Sequence, residues 1–279
     1  MIKGFIVGTG RSGTTLLVNL LGSHSQLSPL FELEFLVDLV NMAKTTGKMV
    51  PKELLGLLYA WGSARGGLPF KDAWDRKYDA VKPRFGSKYA LFTKEELLGA
   101  GVRFLDDLKA RPAEEAYARL MNTLADIHCL NDGKTHCIIK VPSLLRAPEI
   151  VFTALPQARY VHIYRDGRDV WCSSRNYWWG PRTLEDCAAW WAETLHISEM
   201  IRDAFPGRIL EVKYEAMLTD PRARLDEIFA FLGLPPEPIS YEFSKGSVGR
   251  HQKEMSGVEI SRFNKIAGRH LENRGYTLV

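Results

Sequence analysis

A glycine-rich turn constrains the fold of this chain more than any other segment. Residues 8–15 read GTGRSGTT; they follow the short apolar run GFIVG at 4–8 and lead into residues 13–22, whose apolar pattern is typical of a helix. A glycine turn between a buried strand and a helix directs several backbone N–H groups and the helix N-terminus towards one point. The segment therefore predicts an anion-binding site at the end of the first strand.

The rest of the chain repeats this alternation of short apolar runs and long amphipathic segments. Further strands are predicted at 136–141, 159–164 and 208–214, and helices at 34–45, 94–109, 112–129, 168–176, 184–204, 220–232 and 257–271. Capping-box patterns begin two of the helices, Thr183 with Asp186 and Ser256 with Glu259. Strands followed by helices need crossover connections, which predicts one three-layer α/β domain, residues 1–279, around a mostly parallel sheet.

Composition excludes several classes of protein. Hydrophobic residues make up 46% and charged residues 25% of the 279 residues, which is ordinary for a globular protein. No run approaches the roughly 18 apolar residues of a transmembrane segment, and a net charge of +4 is too mild to indicate nucleic-acid binding. Met1 leads within a few residues into the first predicted strand, so we expect no signal peptide and a cytoplasmic protein. The four cysteines have neither zinc-type nor CxxC spacing, which favours reduced thiols.

The glycine turn resembles two nucleotide-binding patterns without fitting either. Gly8 and Gly13 have the spacing of a P-loop, and Thr15 occupies the position of its Ser or Thr hydroxyl. Thr14, however, occupies the position of the lysine that nucleoside triphosphatases use together with Mg²⁺ to bind the β- and γ-phosphates. The turn also reads GxGxxG, with Glu32 about twenty residues downstream, as in dinucleotide sites. Pro29, within residues 27–31, argues against the strand that such a site needs before Glu32.

A third comparison fits better. FIVGTGRSGTTLL resembles the 5′-phosphosulfate-binding loop of sulfotransferases that use 3′-phosphoadenosine-5′-phosphosulfate (PAPS), in which a basic residue precedes Ser-Gly-Thr. The resemblance implies a P-loop-like turn that binds PAPS without a required metal. It assigns the donor's 5′ end to Gly10, Arg11, Ser12, Gly13, Thr14 and Thr15.

A second motif resembles the same family's 3′-phosphate site. Residues 160–173 read YVHIYRDGRDVWCS, which predicts a strand, an Asp-Gly turn and a helix. The resemblance implies that Arg165 and Ser173 bind the 3′-phosphate, and arginine suits this role because its fork binds phosphate bidentately. The alternative is a surface pair between Arg165 and Asp169 that caps the helix.

Further segments extend the resemblance from about residue 4 to about residue 276. Tyr214, in Lys-Tyr-Glu, could face the adenine or be a packed edge aromatic. Ser247, Gly249 and Arg250 resemble the family's C-terminal donor-contacting loop, and Gly275-Tyr276 its tail; Arg250 could equally be plain surface charge. The resemblance is weakest across 45–130, where acceptor selectivity usually resides.

Sulfuryl transfer needs a base for the acceptor proton and cations for the charge that develops. The resemblance implies Glu32 as the base, in an E-x-x-F-L setting, with Glu34 and His24 as alternatives. Lys140, at the end of a predicted strand, and Arg11 would stabilise the sulfuryl oxygens. The alternative for Glu32 and Glu34 is that both are solvated carboxylates at the start of a helix. The alternative for Lys140 is a lysine at a strand end that lies in solvent.

Residues 61–92 form an irregular insert. They carry seven Lys or Arg against three Asp, interleaved with aromatic residues. The insert is either a solvated loop or a segment that binds the acceptor or closes over it. The predicted function is a sulfotransferase that transfers a sulfuryl group from PAPS to a hydroxyl of a small molecule, lipid or carbohydrate. The rivals are a P-loop kinase or nucleotide hydrolase and a catalytically inactive nucleotide-binding protein.

Overall fold

The computed structural model describes residues 1–31, 92, 94–177, 180–239 and 247–278. The strands are β1 Ile2–Val7, β2 Leu27–Phe31, β3 His136–Lys140, β4 Arg159–Tyr164 and β5 Ile209–Lys213. They form a parallel sheet in the order β2-β3-β1-β4-β5, flanked by helices. The predicted α/β class is thereby confirmed. That residues 1–279 are one domain with an insert at 61–92 stays a prediction.

Most of the longer helices in the described ranges lie close to the predicted ones, but the short helices at 142–146, 148–154, 214–219 and 251–254 were not predicted. The described helices are α1 Thr14–Leu21, α2 Lys94–Ala110, α3 Ala113–Asp132, α4 Pro148–Ala154, α5 Gly167–Ser174, α6 Leu184–Ala204, α7 Tyr214–Thr219, α8 Pro221–Leu232, α9 His251–Glu254 and α10 Gly257–Asn273, with a 3₁₀ helix at Pro142–Arg146. Both predicted capping boxes are present, at the starts of α6 and α10. The predicted helix at 34–45 lies outside the described residues. Among the described helices, none combines the length and apolarity needed to cross a bilayer.

The expectation that Pro29 excludes a strand is wrong. Leu27–Phe31 forms β2, the end strand of the sheet order, which pairs with β3. The carbonyl of Gln26 accepts from the N–H of His136 on the β3 side, so by alternation Pro29 faces the other way. There its carbonyl oxygen lies 2.8 Å from Nε2 of buried His128. The N–H that proline lacks would not have paired with β3. Pro29 therefore does not exclude a dinucleotide site.

One compact unit comprises Met1–Phe5 and Leu21–Ala158. Within it β2 and β3 run in register from Leu27 opposite His136 to Phe31 opposite Lys140. The strand residues between these ends are buried, as a strand covered on both faces requires. The pairing therefore places the carboxyl ends of β2 and β3 side by side.

A second compact unit comprises Ile6–Leu20 and Arg159–Val279. Apolar side chains of α5, α6 and α10 form a buried cluster in which the rings of Trp191 and Phe263 lie 6.3 Å apart. The indole N–H of Trp191 donates to the carbonyl oxygen of Arg165 at 2.9 Å, and so fixes the chain where β4 ends. Both predicted anion-binding motifs, residues 8–15 and 160–173, belong to this unit.

Candidate functional site

The glycine turn closes tightly against β4. Gly8 has a φ of +142°, a conformation that side-chain-bearing residues rarely adopt. A Cβ placed on Gly8 would lie 2.5 Å from the carbonyl oxygen of Ile163, which is backbone and cannot rotate aside. Glycine at this position therefore allows the loop to approach the strand.

The side chain of Ser12 stabilises the turn from within. Ser12 is buried, and its hydroxyl donates to the carbonyl oxygen of Thr9 at 2.7 Å. Its backbone N–H reaches the same oxygen at 3.3 Å. Thr14, also buried, begins α1, whereas Gly10 and Thr15 are half-buried.

Arg11 connects the two predicted motifs. Its Nε donates to the hydroxyl of Ser173, on α5, at 2.9 Å, and its guanidinium lies 4.8 Å from the ring centre of Tyr177. Arg11 also has a φ of +69°, the sole positive φ of a non-glycine residue in the described ranges. Such backbone strain is typical of functional sites. The side chain expected at the sulfuryl group thus contacts a residue expected at the 3′-phosphate.

Arg165 lies buried at the centre of this arrangement. One of its terminal nitrogens, Nη2, lies 3.2 Å from Oδ2 of Asp169 and also donates to the carbonyl oxygen of Ser247. The other, Nη1, reaches the carbonyl oxygen of Arg11 at 3.5 Å, and the guanidinium lies 5.2 Å from the ring centre of Tyr214. The pair with Asp169 exists, but it is buried, so the alternative of a surface pair is wrong.

The Nε of Arg165 has a different environment. It is buried and has no hydrogen-bond partner among the described residues. A buried guanidinium N–H without a partner costs free energy, about 1–3 kcal/mol or more for a charged group. An anion bound at this position would supply the missing acceptor.

Asp169 joins Arg165 to the segment at 247–251. Its Oδ2 accepts from the N–H of Gly249 at 2.8 Å, and its Oδ1 accepts from the N–H of His251 at 2.9 Å and lies 2.7 Å from Nδ1 of the same residue. Burial by itself would raise the pKa of Asp169, but the hydrogen bonds from His251 and the charge of Arg165 outweigh burial and lower the pKa. Asp169 therefore carries a negative charge among donors and cations.

Tyr214 and Arg250 lie in this unit but differ in their contacts. Tyr214 begins α7 after β5 and is buried, with its ring against Gly13 and near the Arg165 guanidinium. Arg250 binds the carboxylate of Glu254 through Nε at 2.7 Å and Nη2 at 3.0 Å. A phosphate would have to compete with Glu254 for Arg250.

The side chain of Tyr276 is half-buried and is held by a hydrogen bond within the protein. Its hydroxyl donates to Glu215 at 2.9 Å, and the other carboxylate oxygen of Glu215 accepts from the N–H of Asp166 at 3.1 Å. Burial raises the pKa of Glu215. The tail thereby supports the Asp-Gly turn after β4, and a donor contact of Tyr276 stays a prediction.

The remaining predicted residues belong to the other unit or lie outside the described part. Lys140 ends β3 and is 3% exposed, so the alternative of a lysine in solvent is wrong. His24 is buried, and its Nδ1 accepts from the N–H of Gln26 at 3.1 Å. Glu32 and Glu34 lie outside the described residues, as does the insert at 61–92 apart from buried Phe92.

Sequence reasoning missed the roles of His251 and Glu254. It treated Asp169 only as a possible surface partner of Arg165. The available signal was position, because His251 directly follows the predicted donor-contacting residues 247–250. In the part of the chain that is described, no cluster of His, Cys, Asp or Glu has a metal-binding arrangement.

Comparison with known proteins adds a family match. A model of the sulfotransferase family matches residues 5–238. An uncharacterized protein of Aquifex aeolicus (strain VF5) is 24% identical in an alignment of 251 residues that covers 86% of this chain. The chain spans only 26% of the length of that relative.

Two solved structures share the fold. The sulfotransferase domain of the olefin synthase of Synechococcus PCC 7002 has a TM-score of 0.51 at 20% identity, over 99% of this chain and 83% of that one. The sulfotransferase domain from the curacin biosynthetic pathway has a TM-score of 0.52 at 18% identity, over 99% and 98%. At such identities the likeness concerns the fold alone.

Proposed function

The chain belongs to the sulfotransferase family, and from this premise we propose that it transfers a sulfuryl group from PAPS to an acceptor hydroxyl. One observation carries the proposal of this donor: Arg165 presents a buried Nε without a described partner, while its Nη1 reaches the carbonyl oxygen of the loop residue Arg11, which itself donates to Ser173. PAPS has an anionic group at each end of its ribose. Two adjacent cationic positions in one unit suit such a molecule.

The proposal assigns the two ends of the donor to the two motifs. The 5′-phosphosulfate binds the turn formed by Gly10 to Thr15, whose glycines permit close approach of an anion to the backbone. The 3′-phosphate binds Arg165 and Ser173. Tyr214, Ser247, Gly249 and Arg250 line the nucleotide between and around these positions, with Arg250 released from Glu254.

The reaction is an in-line displacement at sulfur. The acceptor oxygen forms a bond to sulfur while the bond from sulfur to the bridging phosphate oxygen breaks, and its electron pair stays on adenosine 3′,5′-bisphosphate. Glu32 takes the acceptor proton, and Lys140 and Arg11 stabilise the charge that develops on the oxygens. Phe31 pairs with Lys140 in the sheet, and Glu32 is the next residue after Phe31 in the sequence, which supports assigning both residues to the same reaction.

The acceptor is proposed only by class, as a hydroxyl of a small molecule, a lipid or a carbohydrate. Thr14 argues against a P-loop kinase or nucleotide hydrolase, since these enzymes require lysine at that position to hold the β- and γ-phosphates. A nucleotide-binding protein without catalysis would share the donor site and lack transfer.

Calorimetric titration of the purified chain tests the donor. We expect adenosine 3′,5′-bisphosphate to bind more than about tenfold more tightly than adenosine 5′-phosphate, because the 3′-phosphate gains a charge-assisted hydrogen bond. ATP with Mg²⁺ should bind more weakly than the bisphosphate. Preferred binding of ATP with Mg²⁺ would favour a kinase or hydrolase. Tight bisphosphate binding without sulfuryl transfer to any acceptor class would favour the inactive binding protein.

A further inference from the structure

A single buried carboxylate organises the side of the site where the 3′-phosphate is proposed to bind. Asp169 is fully buried, and its two oxygens contact the guanidinium of Arg165, the N–H of Gly249, and both the N–H and Nδ1 of His251. These groups come from two segments separated by about eighty residues in the chain. Asp169 therefore determines how the segment 247–251 meets Arg165.

The contacts of Asp169 also select which nitrogens of Arg165 remain available. A guanidinium carries five N–H donors. Nη2 uses its two on Asp169 and the carbonyl oxygen of Ser247, and Nη1 reaches the carbonyl oxygen of Arg11 at 3.5 Å. Nε, which carries a single N–H, is the one nitrogen of this guanidinium that is left without a described partner. The contacts of Nη2 with Asp169 and Ser247 thus fix the orientation of the guanidinium plane, and with it the direction in which Nε donates.

Charge gives Asp169 a second effect. The carboxylate offsets part of the cost of burying the Arg165 guanidinium, which would otherwise be an isolated buried charge. Asp169 contacts the guanidinium from the side occupied by residues 247–251. The rest of the guanidinium can therefore bind a further anion. A binding geometry held to within a fraction of an ångström needs such a supporting group.

We propose that Asp169 is a positioning residue for recognition of the donor's 3′-phosphate, acting by orienting Arg165 and by anchoring residues 247–251 beside it. The inference rests on the proposed function, because it concerns the 3′-phosphate that distinguishes PAPS. It predicts that Asp169 controls discrimination between nucleotides with and without this phosphate.

Asp169→Asn is the main test. Asparagine keeps the shape but removes the charge and replaces one acceptor oxygen by a donor, which cannot accept from Gly249 and Arg165 in one orientation of the amide or from the N–H of His251 in the other. The measured quantity is the dissociation constant for adenosine 5′-phosphate divided by the dissociation constant for adenosine 3′,5′-bisphosphate. A high ratio means that the 3′-phosphate is recognised. We expect the variant to lower this ratio about tenfold or more, while the affinity for adenosine 5′-phosphate stays within about twofold.

Asp166→Asn is the matched control. Asp166 is a buried aspartate in the same turn, and it pairs with Arg168 at 2.7 Å rather than with Arg165. We expect Asp166→Asn to lower the free energy of unfolding and to leave the ratio of dissociation constants unchanged. If Asp169 had a merely structural role, Asp169→Asn would give this same result. If Asp169→Asn does not fold, His251→Gln provides the second variant, because it removes one contact of the carboxylate and should lower the ratio in the same direction by a smaller factor.

The outcomes separate the two proposals. A wild-type ratio near one means that the 3′-phosphate is not recognised, which overturns the proposed donor. A high wild-type ratio that is unchanged in Asp169→Asn, or in His251→Gln where the first variant does not fold, overturns the role of Asp169 and leaves the donor standing. A high wild-type ratio that falls in these variants and not in Asp166→Asn supports both.

Discussion

Gly13 offers a quantitative test of how the glycine turn packs. Its φ is +105°, and a Cβ placed on it would lie 2.5 Å from Cδ2 and 2.9 Å from Cε2 of Tyr214. The next contact would be Cδ1 of Ile163 at 3.2 Å. Gly13→Ala therefore combines two costs, a disfavoured backbone conformation and a collision with a buried ring.

The expected loss of stability follows from these two costs. Alanine at such a φ costs about 1–3 kcal/mol of backbone strain. Displacing the ring of Tyr214 is an overpacking cost of about 1–3 kcal/mol. We expect Gly13→Ala to lower the free energy of unfolding by about 2–6 kcal/mol, a large part of the roughly 5–15 kcal/mol of a typical domain.

Urea unfolding followed by circular dichroism measures the loss. Gly133→Ala is the control, because Gly133 has a φ of +66° and a Cβ there would meet nothing within 4 Å. It should lose only the backbone cost, about 1–2 kcal/mol. The loss in Gly13→Ala beyond that of Gly133→Ala combines the collision with Tyr214 and the difference in backbone cost between φ values of +105° and +66°.

A double-mutant cycle with Tyr214→Val separates the two costs further. Valine lacks every atom beyond the γ position, so the collision disappears while the strain at Gly13 remains. We expect Gly13→Ala to cost about 1–3 kcal/mol less in the Tyr214→Val background than alone. An equal cost in both backgrounds, or a loss no larger than that of Gly133→Ala, would refute the packing of the turn against the ring.

Three further predictions concern binding, catalysis and acid stability. Arg165→Ala should weaken adenosine 3′,5′-bisphosphate binding by about 1.5–3 kcal/mol in calorimetry, and unchanged affinity would contradict its assignment to the phosphate. Glu32→Gln should lower turnover of labelled sulfate by about 10²–10⁴ with near-normal donor affinity, and retained turnover would move the base to Glu34 or His24. Burial lowers the pKa of His162 from its ordinary 6.5, although the nearby carboxylate of Glu211 opposes this shift. The imidazole therefore binds a proton more tightly in the unfolded chain than in the folded one, and the free energy of unfolding falls as the pH drops below 6.5. His162→Gln should therefore lose less stability than wild type between about pH 7.5 and pH 5.5 in urea unfolding, and an equal loss would show that this titration does not matter.

The local elements were predictable because their signals are local. The capping pairs at Thr183 and Ser256 lie within one turn of sequence, and both occur as predicted. The strand at β2 was not predictable from Pro29, because the rule against proline applies to strands paired on both sides. Whether a strand lies at the end of a sheet is a property of the whole chain.

The site was predictable as a set of motifs but not as a set of contacts. Sequence spacing placed Arg11 and Arg165 after strands, where anions bind. It could not show that Arg11 reaches Ser173 across 162 positions of sequence, nor that Asp169 anchors His251 across 82. Such contacts depend on the packing of helices that local patterns do not specify.

A crystal structure with adenosine 3′,5′-bisphosphate bound is the decisive measurement for the proposed donor site. We expect one nucleotide in the unit formed by Ile6–Leu20 and Arg159–Val279, with its 5′-phosphate at the N–H groups of residues 10–15 and its 3′-phosphate at Arg165 and Ser173. Nε of Arg165 should then donate to a phosphate oxygen. A nucleotide bound in the opposite direction, or away from one of the two motifs, would contradict the proposed donor site.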